Sequence, residues 1–185
     1  MRSPRPLVLL GLAALAACSA GGPAAPDFTL RDDAGNAWTR SQQRQAMLLD
    51  FGFTHCGDTC PLTLSKLERA SQQLGARAGD VQIVFVTVDP ARDSPPVLHD
   101  FLAKFALRGG SRFVGLTGTN AQITGVERAY RVWAQKMPAK RGSDDYDVMH
   151  ASTVFFIDAR GVQRGLHDDT ESPSSLAQAM RSLLQ

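Results

Sequence analysis

The chain has 185 residues, 43% of them hydrophobic and 7% aromatic, a composition that supports one domain with a sizeable core. Its formal charge of +2 comes from Arg2 and Arg5, because from residue 18 onward 18 basic residues face 18 acidic ones. That balance gives no footing for nucleic-acid binding or for a polybasic membrane patch.

Residues 1–17 read as a secretion signal: Arg2 and Arg5 precede the apolar run Leu7 to Leu15, and small residues follow at Ala16-Ala17. The run is shorter than the roughly 20 residues a spanning helix needs. Leu15-Ala16-Ala17-Cys18 resembles the bacterial lipobox, which implies cleavage before Cys18 and a lipid on that cysteine. The alternative is an ordinary cleaved signal with an incidental cysteine. The lipobox reading implies a periplasmic domain anchored to a membrane, and Ser19 leans towards the outer one. Residues 18–26, small and without core-forming content, read as a flexible tether, and 27–185 as the folded domain.

Phe28-Thr29-Leu30 and Ala37-Trp38-Thr39 flank a Gly-Asn turn and predict a hairpin. Met47 to Phe53 reads as a buried strand of a parallel sheet that runs into Thr54-His55-Cys56-Gly57-Asp58-Thr59-Cys60-Pro61. Pro61 suits the first position of the next helix and biases Cys60 away from helical geometry, so a Cys56–Cys60 loop is expected at the helix N-terminus. The positive local field there favours thiolate. Leu62, Leu64, Leu67, Ala70 and Leu74 mark the helix face, with Gly75 or Gly79 as its stop.

Val81 to Val88 reads as a second buried strand. Pro95-Pro96 open a helix with Leu98, Phe101, Leu102 and Phe105 on its stripe, and Gly109-Gly110 close it. Arg112 to Leu116 is a third strand, and Asn120 caps a helix reaching Tyr130. Arg131–Met137 and Tyr146–His150 read as strand-like segments around a polar loop, Pro138 to Asp145. Then come the strand Thr153–Ile157, a turn at Asp158–Gly161, a strand to Leu166, and a helix from Pro173 with Leu176, Met180, Leu183 and Leu184. This order predicts an α/β thioredoxin-like fold with a mixed central sheet, an N-terminal hairpin extension and flanking helices. The cysteines then stand at the first strand–helix junction, where open α/β sheets place their chemistry.

In an oxidising compartment Cys56 and Cys60 would join into a disulfide unless a partner holds them reduced, so a structural bridge is one reading. A bridge closing so short a loop stabilises little. Among the histidines, His55, His99 and His167 read as surface residues. His150 precedes a strong apolar strand at a loop that faces the first strand–helix junction, so Cys56, Cys60 and His150 can surround one ion. Two thiolates and an imidazole suit trigonal Cu(I) and, with added solvent, Cu(II); zinc tolerates the same set.

Four motifs occur in register: Phe51-Gly52-Phe53-Thr54-His55-Cys56-Gly57-Asp58-Thr59-Cys60-Pro61, Thr87-Val88-Asp89-Pro90-Ala91-Arg92-Asp93-Ser94-Pro95, Gly115-Leu116-Thr117-Gly118-Thr119 and Tyr146-Asp147-Val148-Met149-His150. Together they resemble the Sco/SenC family from about Phe28 to the end. The resemblance implies a thioredoxin fold, copper bound by Cys56, Cys60 and His150, and a metallochaperone role in assembling the copper centre of cytochrome c oxidase. Implied partners are a copper-receiving oxidase subunit or another copper chaperone, and a protein that reduces the Cys56–Cys60 pair. Two positions depart from the family pattern: Met149 stands where an acidic residue usually precedes the histidine, and Gly57 where proline is common. Asp147 is a candidate to supply the acid and Met149 a soft sulfur. The rival readings are a thiol-disulfide oxidoreductase that reduces a copper-receiving partner, a peroxiredoxin, and a binding module with an incidental disulfide. Three residues between the cysteines and no proline beside His150 weigh against the first.

Overall fold

The computed structural model describes residues 21–106, 111–138 and 146–185. Thr29–Asp32 (β1) and Ala37–Thr39 (β2) form the expected antiparallel hairpin, whose turn uses Gly35 at a φ of 88°, a conformation that suits a residue without Cβ. Ala46–Gly52 (β3) and Val81–Thr87 (β4) are buried at every position and pair in parallel, as their mostly apolar runs lead one to expect.

Thr59–Gln72 (α1) crosses between them, Pro95–Ala103 (α2) leads into Arg112–Thr117 (β5), and β5 pairs in parallel with β4. Asn120–Tyr130 (α3) follows, then the short strands Ala134–Met137 (β6) and Asp147–His150 (β7), which pair with each other in a separate sheet. Thr153–Ile157 (β8) returns antiparallel to β3, Gln163–Asp168 (β9) pairs with β8, and Pro173–Leu183 (α4) ends the chain. The main sheet has the order β2-β1-β5-β4-β3-β8-β9. It is the mixed sheet of a thioredoxin-like fold.

Alternation along the strands sends side chains to two cores. Leu48, Ile83, Phe85 and Phe156 meet α1, α2 and α4 through Leu64, Leu67, Leu98, Phe101, Leu176 and Met180. On the other face Leu49, Phe51, Val84 and Phe155 meet Trp38, the α3 residues Ile123, Val126 and Tyr130, and Val148 of β7. Cys56 packs against both. The cysteine loop thus lies where the two cores meet.

Several local expectations change. Helix α1 begins at Thr59, two residues ahead of Pro61, so Cys60 lies in its first turn. The first four helical N–H groups have no intrahelical acceptor, so a proline at the third position costs no bond, and the helix extends past its preference. Thr119 rather than Asn120 is the N-cap of α3: its hydroxyl accepts from the Gln122 N–H at 3.2 Å while the Gln122 side chain accepts from the Thr119 N–H at 2.8 Å. Arg131 is not strand but a left-handed residue (φ 56°) that ends α3.

Part of the tether is packed. Ala25 is buried and its N–H donates to Gly161 O at 2.8 Å, while Gln163 N–H donates to Pro23 O at 2.9 Å. The signal segment with Cys18, the Gly109-Gly110 helix stop and most of the Pro138–Asp145 loop lie outside the described residues. No helix among the described residues is long and apolar enough to cross a membrane.

Candidate metal centre

At the end of β3 the chain leaves the sheet, and Thr54 is pinned there by a buried carboxylate. Asp93 accepts from the Thr54 N–H at 3.0 Å and from its hydroxyl at 2.6 Å. Two residues later the half-buried Cys56 turns back on α1, whose Cys60 N–H donates to the Cys56 sulfur at 3.3 Å. The helix N-terminus therefore holds the sulfur through a backbone donor, the interaction that stabilises a thiolate. Cys60 is buried, and neither thiol is in a disulfide.

His150 closes β7, where alternation puts it on the same side as the buried Val148. Its Nε2 lies 3.7 Å from Cys60 Sγ, and its ring stands edge-on to Phe53. Nδ1 lies 3.1 Å from Ala151 O, so the proton on Nδ1 leaves the Nε2 lone pair for the sulfurs or an ion. One donor atom from each of Cys56, Cys60 and His150 falls within 4.8 Å of the others. Among the described residues no other cluster of three such groups forms.

The electrostatics separate the two thiols. The Cys60 thiol's hydrogen bond pulls the Cys56 pKa down despite burial, with help from His150. The same hydrogen bond, together with burial, pushes Cys60 up. For His150 burial works against the imidazolium, but hydrogen bonds to Cys56 and to the Ala151 carbonyl, with the charges of Asp50 and Cys56, outweigh it and raise the pKa. The Cys60 backbone N–H at the Cys56 sulfur and the directions of both shifts favour charge on Cys56 over Cys60.

The other candidates fall outside. Met149 is half exposed and, by strand alternation, faces away from His150. Asp147 caps its own neighbour, accepting from the Val148 N–H at 2.8 Å. His55 is an exposed neighbour of Thr54, 3.1 Å from its hydroxyl, and His99 lies 3.5 Å from Asp33 at the surface. His167 departs from its surface reading: it lies in β9, its ring tilted against Phe156 with centroids 4.1 Å apart, and it pairs with Glu171 at 2.7 Å. A Cβ at Gly57 would meet nothing within 4 Å, so crowding does not impose glycine there.

Sequence reasoning missed Asp50. It is buried in β3, and burial pushes its pKa up to about 7, opposed by His150. The signal was available as a lone carboxylate inside an apolar strand, six residues before Cys56.

A model of the SCO1/SenC family matches residues 17–185. The chain belongs to that family. Bradyrhizobium japonicum ScoI, solved with copper bound, is 31% identical and superposes with a TM-score of 0.76 over 87% of this chain and 99% of that one. The mitochondrial SCO2 homolog of Bos taurus is 35% identical over 158 residues, 84% of this chain and 58% of its own. An SCO2-like protein of Rickettsia felis is 35% identical over 73% of this chain and 64% of its own. The chain therefore spans about three fifths of the length of these two curated relatives.

The donor set fits copper on its own chemistry. Two soft sulfurs, one of them already poised as thiolate, and a neutral imidazole nitrogen suit Cu(I), and the partly open loop leaves room for a solvent ligand on Cu(II).

Proposed function

We propose that this protein is a periplasmic, lipid-anchored copper metallochaperone that helps assemble the copper centre of cytochrome c oxidase. Cys56, Cys60 and His150 hold the ion and Cys18 carries the anchor. The observation that carries the reading is the convergence of three donor atoms within 4.8 Å from two distant parts of the chain. Membership of the SCO1/SenC family and the copper-bound Bradyrhizobium relative support it.

Copper enters as cargo. Cys56 offers its thiolate directly, Cys60 gives up its proton on binding, and His150 contributes Nε2 without having to change tautomer. A receiving oxidase subunit or a second chaperone takes the ion at the open side of the Cys56 loop. In thiol–disulfide exchange with an acceptor disulfide, the Cys56–Cys60 disulfide forms as the acceptor is reduced to two thiols, taking the Cys60 proton and one from solvent, and both sulfur ligands are removed. A thiol reductant is then needed to restore the site.

The split between a stabilised Cys56 thiolate and a protonated Cys60 also favours a second reading, in which this pair reduces the cysteines of the copper-receiving partner. Anaerobic titration of the reduced protein with Cu(I), with X-ray absorption to count ligands, decides between them. One tightly bound copper with two sulfurs and one nitrogen supports the chaperone; absence of stoichiometric copper with rapid turnover of a disulfide substrate supports the reductase. Replacing Cys18 by Ala and following the membrane fraction tests the anchor.

A further inference from the structure

The proposed centre is divided between two segments that share no sheet: the cysteine loop at the end of β3, and the β6–β7 hairpin, whose strands pair only with each other. Something must fix one against the other to within a few tenths of an ångström, because thiolate and imidazole bonds to one ion allow little slack. Between them lies the turn Asp89–Asp93. Its two aspartates are fully buried and four residues apart, and the Arg92 and Asp93 N–H groups donate back to Asp89 O at 3.1 and 3.0 Å. Each carboxylate reaches a different half of the site.

Asp93 grips the cysteine side. Besides its two bonds from Thr54, it accepts from the Thr87 hydroxyl at the end of β4 at 2.6 Å, and Thr87 Oγ1 in turn accepts from the Asp89 N–H at 2.9 Å. Asp89 grips the histidine side. The Tyr146 phenol lies 2.7 and 2.9 Å from its two oxygens, and Lys136 of β6 lies 3.3 Å away. Arg92 pairs with Asp89, stacks its guanidinium 3.8 Å from the Tyr146 ring and donates to Tyr146 O at 2.9 Å. Tyr146 stands four residues before His150, and Thr54 two before Cys56.

We propose that the Asp89–Asp93 turn is the positioning device of this centre, with Asp89 and Tyr146 setting where His150 sits and Asp93 with Thr54 setting where Cys56 sits. The proposal rests on the ligand set given above. It assigns a physical task to the motif Asp89-Pro90-Ala91-Arg92-Asp93, none of whose side chains is among the donors: one turn reads the position of the sheet through Thr87 and transmits it to both arms. Buried carboxylates with several donors each are suited to this, because moving either arm would strip a buried charge of partners.

The two arms can be cut separately in the full chain. Tyr146→Phe removes one hydroxyl from the histidine arm and keeps the ring under Arg92. It should weaken Cu(II) binding by about 10- to 100-fold, the range for lost outer-shell support of a metal ligand. It should also shift or broaden the His150 ring proton signals of the metal-free protein and leave the Cys56 alkylation rate at the wild-type value. Thr54→Val should do the reverse, changing Cys56 alkylation and sparing the ring signals. Where Tyr146→Phe is not recovered folded, Asp89→Asn carries the same comparison. A folded variant with wild-type copper affinity and wild-type ring signals overturns the proposal. If instead His150→Ala leaves copper binding untouched, the ligand set is wrong, and the metal-free ring signals still decide whether the turn holds the hairpin.

Discussion

The imidazole Nε2 of His150 lies 3.7 Å from the sulfur of Cys60, 90 residues earlier in the chain. The sulfurs share one loop and helix turn, whereas the imidazole arrives from another sheet, so the three donors are unequal. Replacing Cys56 or Cys60 by Ser should abolish tight Cu(I) binding. His150→Ala should leave a weakened two-sulfur Cu(I) site and cost Cu(II) far more, since soft Cu(I) accepts two thiolates alone. Competition titrations with each oxidation state measure this. Equal losses for both states in His150→Ala would remove the imidazole from the proposed set.

The separation of the two thiols predicts selective chemistry. Because the Cys60 thiol chiefly holds Cys56 down, with His150 assisting, Cys56 should alkylate at pH 6 nearly as fast as at pH 8, while buried Cys60 stays unmodified. Cys60→Ala removes the side-chain donor but keeps the residue-60 N–H and His150, so the Cys56 rate should become more pH-dependent without reaching free-thiol behaviour. Mass mapping after brief iodoacetamide exposure reads both. Preferential modification of Cys60 would reverse the assignment.

Much of this was legible in the chain. The largely apolar runs at Met47–Phe53 and Val81–Val88 read as buried parallel strands, and proline at 95 and 173 marked two helix starts. His150 stood out because it abuts an apolar strand. The start of α1 was misplaced because a preference of Pro61 was weighed against nothing, while the free N–H groups of a first helical turn tolerate proline. Asp50 could have been noticed as a lone carboxylate in an apolar run, but its burial and the partners of Asp89 could not be read locally. Burial and long-range pairing are properties of the assembled sheet, and no local pattern reports that Tyr146 meets Asp89 across 57 positions.

Gly52 ends β3 beneath the cysteine loop. A Cβ there would lie 2.6 and 2.8 Å from Phe85 ring carbons and 2.9 Å from Cys60 Sγ, all closer than side chains pack. Gly52→Ala should therefore displace the Cys60 sulfur or the Phe85 ring, costing about 1–3 kcal/mol as overpacking does. It should also lower copper affinity more than an equally destabilising change in the distant core, such as Met180→Ala. Denaturant melts paired with copper titrations separate the two effects; equal affinity in both variants would leave Gly52 a purely structural residue.

Asp50 gives a pH dependence whose sign can be worked out. Burial raises its carboxyl in the fold to about 7, well above the ordinary carboxylate range. Below pH 4 both folded and unfolded chains keep the proton and no penalty arises. Between pH 4 and 7 the unfolded chain releases it while the fold retains it, so stability falls as pH rises, and the loss is complete above the folded pKa. At roughly 1.4 kcal/mol per tenfold change in ionisation, this puts the full effect on the order of 4 kcal/mol. The charge of His150 opposes the shift, and those of Cys56 and Asp169 reinforce it. In Asp50→Asn the amide stays neutral throughout, so the stability difference between variant and wild type should grow in the variant's favour from pH 4 to pH 8. Urea melts of the metal-free, reduced proteins across that range measure it. Parallel stability curves would mean that the Asp50 carboxylate is ionised in the fold, held by a partner strong enough to offset its burial.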